Sequence, residues 1–171
     1  WTIQCADRYL AILYDYLHEK MYGYHVLQAD ETPVLVNKDG RPAGSKSYMW
    51  VYRTGRMYTG RQIVLYEYQK TRNASHPREF LKDFSGVCVT DGYQVYHTIE
   101  AEREDLKVAG CWSHARRRFD EAVGALPKAK RKDSRAYLAL TMIQAIYREE
   151  KLLKDLPSEE RKTRRQLSVR P

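Results

Sequence analysis

Gly86-Val87-Cys88-Val89-Thr90-Asp91-Gly92-Tyr93 is the stretch whose reading decides the fold of this 171-residue chain. Val87, Cys88 and Val89 form an apolar run too short for a helix and bounded by glycine on both sides, which predicts a strand. With no polar residue alternating in it, the strand is expected to be buried on both faces, as in the parallel part of an α/β sheet. It delivers Asp91 at its C-terminal end, and Gly92 allows a sharp exit there. Open α/β sheets collect ligands and catalytic groups at that end. Val26-Leu27-Gln28-Ala29-Asp30-Glu31-Thr32-Pro33 has the same form, a strand arriving at an aspartate. Two aspartates at two strand ends point to a shared divalent-metal site, and the plain alternative is a pair of solvated carboxylates.

Outward from these strands, the pattern continues in both directions. Ile3, Ala6, Leu10, Leu13 and Leu17 recur at three- and four-residue steps, predicting an amphipathic helix over residues 1–20 that Gly23 ends. The first strand runs over 24–30, with Pro33-Val34-Leu35-Val36 extending it past a kink. Turns at Asn37–Gly40 and Gly55–Gly60 separate it from strands at 48–53 and 62–68, and such short connections make an antiparallel meander. Ser75 reads as the cap of a helix with Pro77 in its first turn and Phe80 and Leu81 toward the core. That helix crosses over, so the strand ending at Asp91 is expected to lie parallel to the first.

A short helix over 93–104 and a strand over 106–111 follow. A helix over 112–125 has an apolar stripe of Trp112, Ala115, Phe119 and Ala122, with Arg116, Arg117 and Arg118 on its other face. Pro127 opens a basic connector carrying Lys128, Lys130, Arg131 and Lys132. Asp133 reads as the cap of a long helix reaching about residue 156, and Pro157-Ser158 opens a charged end. The expected organisation is an N-terminal helix over 1–22, a core over 23–157 and a basic C-terminal segment over 158–171. The order β-β-β-α-β-α-β-α-α is that of the α/β ribonuclease-H-like fold. That fold implies a mixed five-stranded sheet flanked by helices, here with a small helical insertion before the last catalytic helix.

Thirty Lys+Arg against 22 Asp+Glu leave a formal charge of +8, which favours a polyanionic partner, nucleic acid ahead of a membrane surface. No apolar run approaches the roughly 18 residues of a membrane span. The chain opens at Trp1 and reads as a piece of a longer protein. Three widely spaced cysteines, Cys5, Cys88 and Cys111, suit reduced cytoplasmic thiols better than a disulfide framework. Fourteen tyrosines suit a partly wet surface along which an extended ligand lies.

Several motifs carry a family resemblance. Ala29-Asp30-Glu31-Thr32-Pro33, Tyr48-Met49-Trp50-Val51-Tyr52, Phe80-Leu81-Lys82-Asp83-Phe84-Ser85-Gly86, Thr90-Asp91-Gly92-Tyr93 and Gly110-Cys111-Trp112-Ser113-His114-Ala115-Arg116-Arg117-Arg118-Phe119 stand in the family's order. Over about residues 22 to 157 the chain resembles the catalytic domain of the insertion-sequence-66 family of bacterial transposases. The resemblance implies a D-D-E core that cleaves and joins DNA at transposon ends with two Mg2+ ions, for which Mn2+ can substitute. It implies transposon-end and target DNA as partners, a homo-oligomer on DNA, and a bacterial cytoplasmic location at the nucleoid. Asp30 matches the first aspartate and Asp91 the second.

The third carboxylate falls in Ile146-Tyr147-Arg148-Glu149-Glu150, where the family usually has Leu-Tyr-Ala-Ile-Glu, so Glu149 and Glu150 both stand as alternatives. On a helical wheel Glu150 lies about 20° from Ile143, inside the apolar stripe, and Glu149 about 120° away. The family alignment also favours Glu150, so the expected metal ligands are Asp30, Asp91 and Glu150, with Asp30 bridging. Glu31 is expected on the opposite face of the strand.

Two further groups are candidates. His114 is read either as a contact to the scissile phosphate or second aspartate, or as a structural histidine. Cys111 and His114 alone are too few for a structural zinc site. Arg116, Arg117, Arg118, Lys130, Arg131 and Lys132 are candidate phosphate contacts or simply a solvated face. Two other readings compete with the transposase: a structure-specific nuclease of the same fold, and a remnant that binds DNA without cutting it.

Overall fold

The computed structural model describes residues 2–37, 40–55, 58 and 60–169. Lys38 and Asp39 of the first expected turn, and Arg56, Met57 and Thr59 of the second, lie outside the described residues. In chain order the elements are α1 (Thr2–Cys5), a π-helical turn (Ala6–Leu10), α2 (Ala11–Met21), β1 (Val26–Leu35), β2 (Lys46–Thr54), β3 (Val64–Gln69), α3 (Ser75–Phe80), β4 (Gly86–Thr90), α4 (Gln94–Ala101), β5 (Leu106–Gly110), α5 (Trp112–Gly124), a 3-10 turn (Lys128–Lys130), α6 (Arg135–Leu152) and α7 (Ser158–Ser168). They form two compact units, residues 1–111 and 112–171.

The first unit holds a mixed five-stranded sheet in the order β3-β2-β1-β4-β5. β1 is antiparallel to β2 and parallel to β4, and β5 is parallel to β4. This is the α/β topology expected for the ribonuclease-H-like fold. Two glycines frame the central strand. Gly86 has φ +145° and lies so close to His25 that a β-carbon would sit 2.3 Å from its carbonyl oxygen. Gly92 has φ +90°, the left-handed region that glycine enters without steric cost. β4 is drier on one face than the other: Cys88 is buried, whereas Val87 and Val89 are half-buried, short of the two-sided burial expected.

Alternation along the strands separates the two faces. Leu27, Ala29, Trp50, Tyr52 and Leu65 enter a core with Met21, Phe80, Leu81, Tyr96 and Ile99 from the helical layer. Each such large apolar side chain contributes about 1.5–3 kcal/mol by leaving water. The Tyr52 and Phe80 rings stack 3.4 Å apart, and His18 stacks on Phe80 from the other helix at 3.9 Å. Pro33 does not end β1, which continues to Leu35. The β4 ladder covers only Val26–Gln28 of β1, so at Pro33 one side of the strand has no ladder to interrupt.

Four local expectations are corrected. The N-terminal stripe is not one face: the π-helical turn breaks the 3.6-residue period. Ile3, Leu10 and Leu13 are exposed, and α2 packs through Tyr14, Leu17 and Met21. Ser75 is not the cap of α3; its own N–H is taken by Asn73 Oδ1 at 2.9 Å. Ser134, not Asp133, caps α6, its hydroxyl accepting from Tyr137 N–H at 3.1 Å. α5 buries no residue, and Trp112, Phe119 and Ala122 of its stripe are exposed. Within the second unit α5 packs along α6, whose Leu140 and Ile143 are buried. No helix among the described residues is long and apolar enough to cross a membrane.

Candidate active site

β1 and β4 run side by side in the register Val26↔Val87, Leu27↔Cys88 and Gln28↔Val89. Continued by two residues, that register would set Asp30 beside Asp91, which lies just past the end of β4. In-register neighbours on adjacent strands share a face and lie about 4.8 Å apart. Asp30 and Asp91 are both half-buried. Asp30 Oδ1 accepts from Glu31 N–H at 3.0 Å. Asp91 Oδ1 accepts from Tyr93 N–H at 2.9 Å, closing a turn around Gly92 that leads into α4. Two hard carboxylates so placed are a donor set that suits Mg2+, which takes a few carboxylates and completes its shell with water and phosphate.

Behind this pair lies an arrangement that the sequence did not reveal. Glu31, on the opposite face from Asp30 as the alternation predicts, is buried and paired with Arg72. Arg72 Nε donates to Glu31 Oε1 at 2.8 Å, and Nη2 donates to the same oxygen. Tyr96 offers its hydroxyl to Oε2 at 3.4 Å. The Arg72 guanidinium also lies 3.8 Å from the centre of the Tyr93 ring, whose hydroxyl donates to the Arg72 carbonyl at 2.8 Å. Burial pushes the Glu31 carboxyl above its ordinary range; Arg72 opposes this through its bonds and charge, and the charges of Asp91 and Asp30 add to the rise. Arg72 thus ties Glu31 of β1 to Tyr93, two residues past Asp91. Arg72 lies in a loop 41 positions from Glu31, and no periodicity announces that pairing.

Glu150 lies in the second unit. Its carboxylate is held by Arg165 of α7, with Nε to Oε1 at 2.7 Å and Nη2 to Oε2 at 2.6 Å. The side chain is 32% exposed, so it stands at the edge of the apolar stripe instead of in its middle. Glu149 is likewise half-buried. Among the described residues no three His, Cys, Asp or Glu gather into a group that could hold a metal ion. Asp30 and Asp91 thus belong to neighbouring strands, Asp30 within β1 and Asp91 just past β4, and Glu150 is found with Arg165.

His114 is half-buried in the first turn of α5, and Arg116, Arg117 and Arg118 are exposed beyond it. Lys130 and Lys132 are exposed, whereas Arg131 is engaged. Arg131 donates to the carbonyls of Leu126 and Gly124, both at 2.9 Å, and so closes the C-terminal end of α5. Its expected place among the phosphate contacts gives way to that structural task.

Of the relatives compared, protein y4qI of Sinorhizobium fredii (strain NBRC 101917 / NGR234), itself uncharacterized, is 33% identical over 119 residues. That match covers 64% of this chain and 22% of y4qI. The uncharacterized y4jD of the same strain is 28% identical over 171 residues, covering 95% of this chain and 32% of the relative. The chain therefore spans between about a fifth and a third of these relatives' lengths. A cryoEM structure of a simian T-cell lymphotropic virus intasome in complex with PP2A regulatory subunit B56 gamma superposes with a TM-score of 0.34 and 11% identity. It covers 85% of this chain and 48% of that one, a likeness too distant to speak to function. The model of the Transposase IS66 family matches residues 1–171, with Asp30 and Asp91 inside the match, and the chain belongs to that family.

Proposed function

We propose that this chain is the catalytic core of a DNA transposase, in which Asp30 and Asp91 hold divalent cations against a DNA phosphate. The observation that supports the reading is the β1–β4 register, whose continuation by two residues would bring Asp30, midway along β1, beside Asp91, just past the end of β4. When bound, Mg2+ would activate the attacking oxygen and neutralise the leaving one in an in-line displacement. The chain's own part is placement. Asp30 and Asp91 supply ligand oxygens, and the turn around Gly92 and the Arg72–Tyr93 contact keep those oxygens from drifting. Glu150 is the third carboxylate of the proposal.

DNA held by this core meets an excess of positive charge, net +8 over the chain, which favours phosphate binding without regard to sequence. Arg116, Arg117, Arg118, Lys130 and Lys132 are proposed backbone contacts, and His114 a proposed contact at the scissile phosphate. Recognition of specific ends, joining to target DNA and assembly as a homo-oligomer belong to the proposal for the longer protein. The experiment is a cleavage assay on end-containing DNA in Mg2+ or Mn2+. Asp30→Asn and Asp91→Asn each keep the shape and remove a charge, so cleavage is expected to disappear while folding and DNA affinity remain. Wild-type cleavage by either variant would refute the aspartate pair.

A further inference from the structure

The two faces of the sheet differ in more than burial. In-register partners share a face, which sorts the outer residues into rows. Asp30, Val51 and Tyr66 form one row; Thr32, Met49 and Tyr68 form the next; Gln28, Arg53 and Val64 lie on the other side. Tyr66 therefore stands in the row of Asp30, two strand spacings away, or about 10 Å. Tyr66 is 62% exposed and Tyr68 40% exposed. Edge strands are usually blunted with charge or proline on such a face; β3 instead displays two aromatic rings. The Tyr68 hydroxyl is hydrogen-bonded to Ser47 Oγ at 2.9 Å, which holds that ring at a set angle.

We propose that this outer face, from Asp30 across Val51 to Tyr66 and Tyr68, is a stacking platform for unpaired bases of a DNA strand. The proposal rests on the catalytic reading above for the position of the phosphate at Asp30 and Asp91. Three features favour this occupant. Tyr66 lies in the row that contains Asp30 and Tyr68 in the row beside it, so a strand with its phosphate at Asp30 can extend across both rings. Arg53 lies one row away, half-buried with Nη2 donating to Gln62 Oε1 at 3.0 Å, and adds positive charge beside the path of a neighbouring phosphate. Tyrosine pairs a π face with a polar hydroxyl, which suits a ligand that comes and goes in water. Every base has a π face, so such a platform accepts any sequence and takes strands whose bases have left the duplex.

The test compares Tyr66→Ala, Tyr68→Ala and Tyr66→Phe for binding of a fluorescein-labelled oligothymidylate and of a hairpin duplex. Both tyrosines are exposed, so truncation spares the core, and circular dichroism checks this. Losing one stacked base is expected to weaken oligothymidylate binding about tenfold in each alanine variant. Tyr66→Phe should bind like the wild type. The salt slope should not change, because no phosphate contact is removed, and duplex binding should stay as it was. Iodouracil placed in the oligonucleotide should photocrosslink to Tyr66 or Tyr68.

Wild-type affinity in the alanine variants would overturn the platform, as would equal losses for alanine and phenylalanine at Tyr66. A variant that changes only self-association in sedimentation would assign the face to a second copy of the chain, which also overturns it. Failure here is separable from failure of the catalytic reading. Cleavage that survives in Asp30→Asn refutes the metal site, whereas normal oligothymidylate affinity in Tyr66→Ala refutes the platform alone.

Discussion

Adjacent in β1, Asp30 and Glu31 meet different surroundings because successive side chains of a strand point to opposite faces. Alternation alone therefore separates a candidate ligand from a buried carboxylate tied to Arg72. The same elementary geometry served less well at Glu150, which the wheel put inside the apolar stripe, and it missed the partner. Arg165 answers the carboxylate there, an interaction across 15 positions and a turn between helices that no single-helix wheel contains. Exposed ion pairs contribute about 0–1 kcal/mol, and this pair is 48% and 32% exposed. Removing it should therefore leave the fold intact and expose a role in chemistry. Glu150→Gln is expected to abolish metal-dependent strand cleavage while Glu149→Gln keeps most of it, with both variants melting close to the wild type. The reverse pattern, read in the same cleavage assay, would move the third carboxylate to Glu149.

At the scale of elements, the strands and helices were legible because each carries its own period, and their ends were less so. The two caps were each misplaced by one or two positions. Ser134 and Asp133 are both good caps by type, as are Asn73 and Ser75 around α3, and only the backbone decides which one meets the free N–H groups. The basic connector after α5 illustrates the same limit. Its cations look alike in sequence, yet Arg131 is spent on the carbonyls of Leu126 and Gly124 while Lys130 and Lys132 stay in solvent. The expected outcomes differ accordingly. Lys130→Ala with Lys132→Ala should lower the slope of log affinity against log salt by about two, since each lost phosphate contact removes about one. Its melting temperature should hold. Arg131→Ala should cost about 1–2 kcal/mol through unsatisfied carbonyls, with little change in that slope. Equal salt slopes for the double variant and the wild type would place the DNA path elsewhere.

For the molecule as a whole, strand order was readable because two short connections and two crossovers leave few ways to build one sheet. The sheet β3-β2-β1-β4-β5 follows that logic, and it makes neighbours of β1, which carries Asp30, and β4, which leads to Asp91. Less could be read from the N-terminal helix, where a π-helical turn shifts the stripe and leaves Ile3, Leu10 and Leu13 exposed. Nor does any local pattern report that the chain forms two compact units with the aspartates in one and Glu150 in the other. The central claim is that the two aspartates share a cation. Anomalous diffraction from a crystal of this chain soaked in Mn2+ tests it most directly. The account predicts a manganese peak within ordinary ligand distance, about 2.1 Å, of carboxylate oxygens from both Asp30 and Asp91. A well-ordered site with no peak between them, or manganese bound only elsewhere, would contradict it.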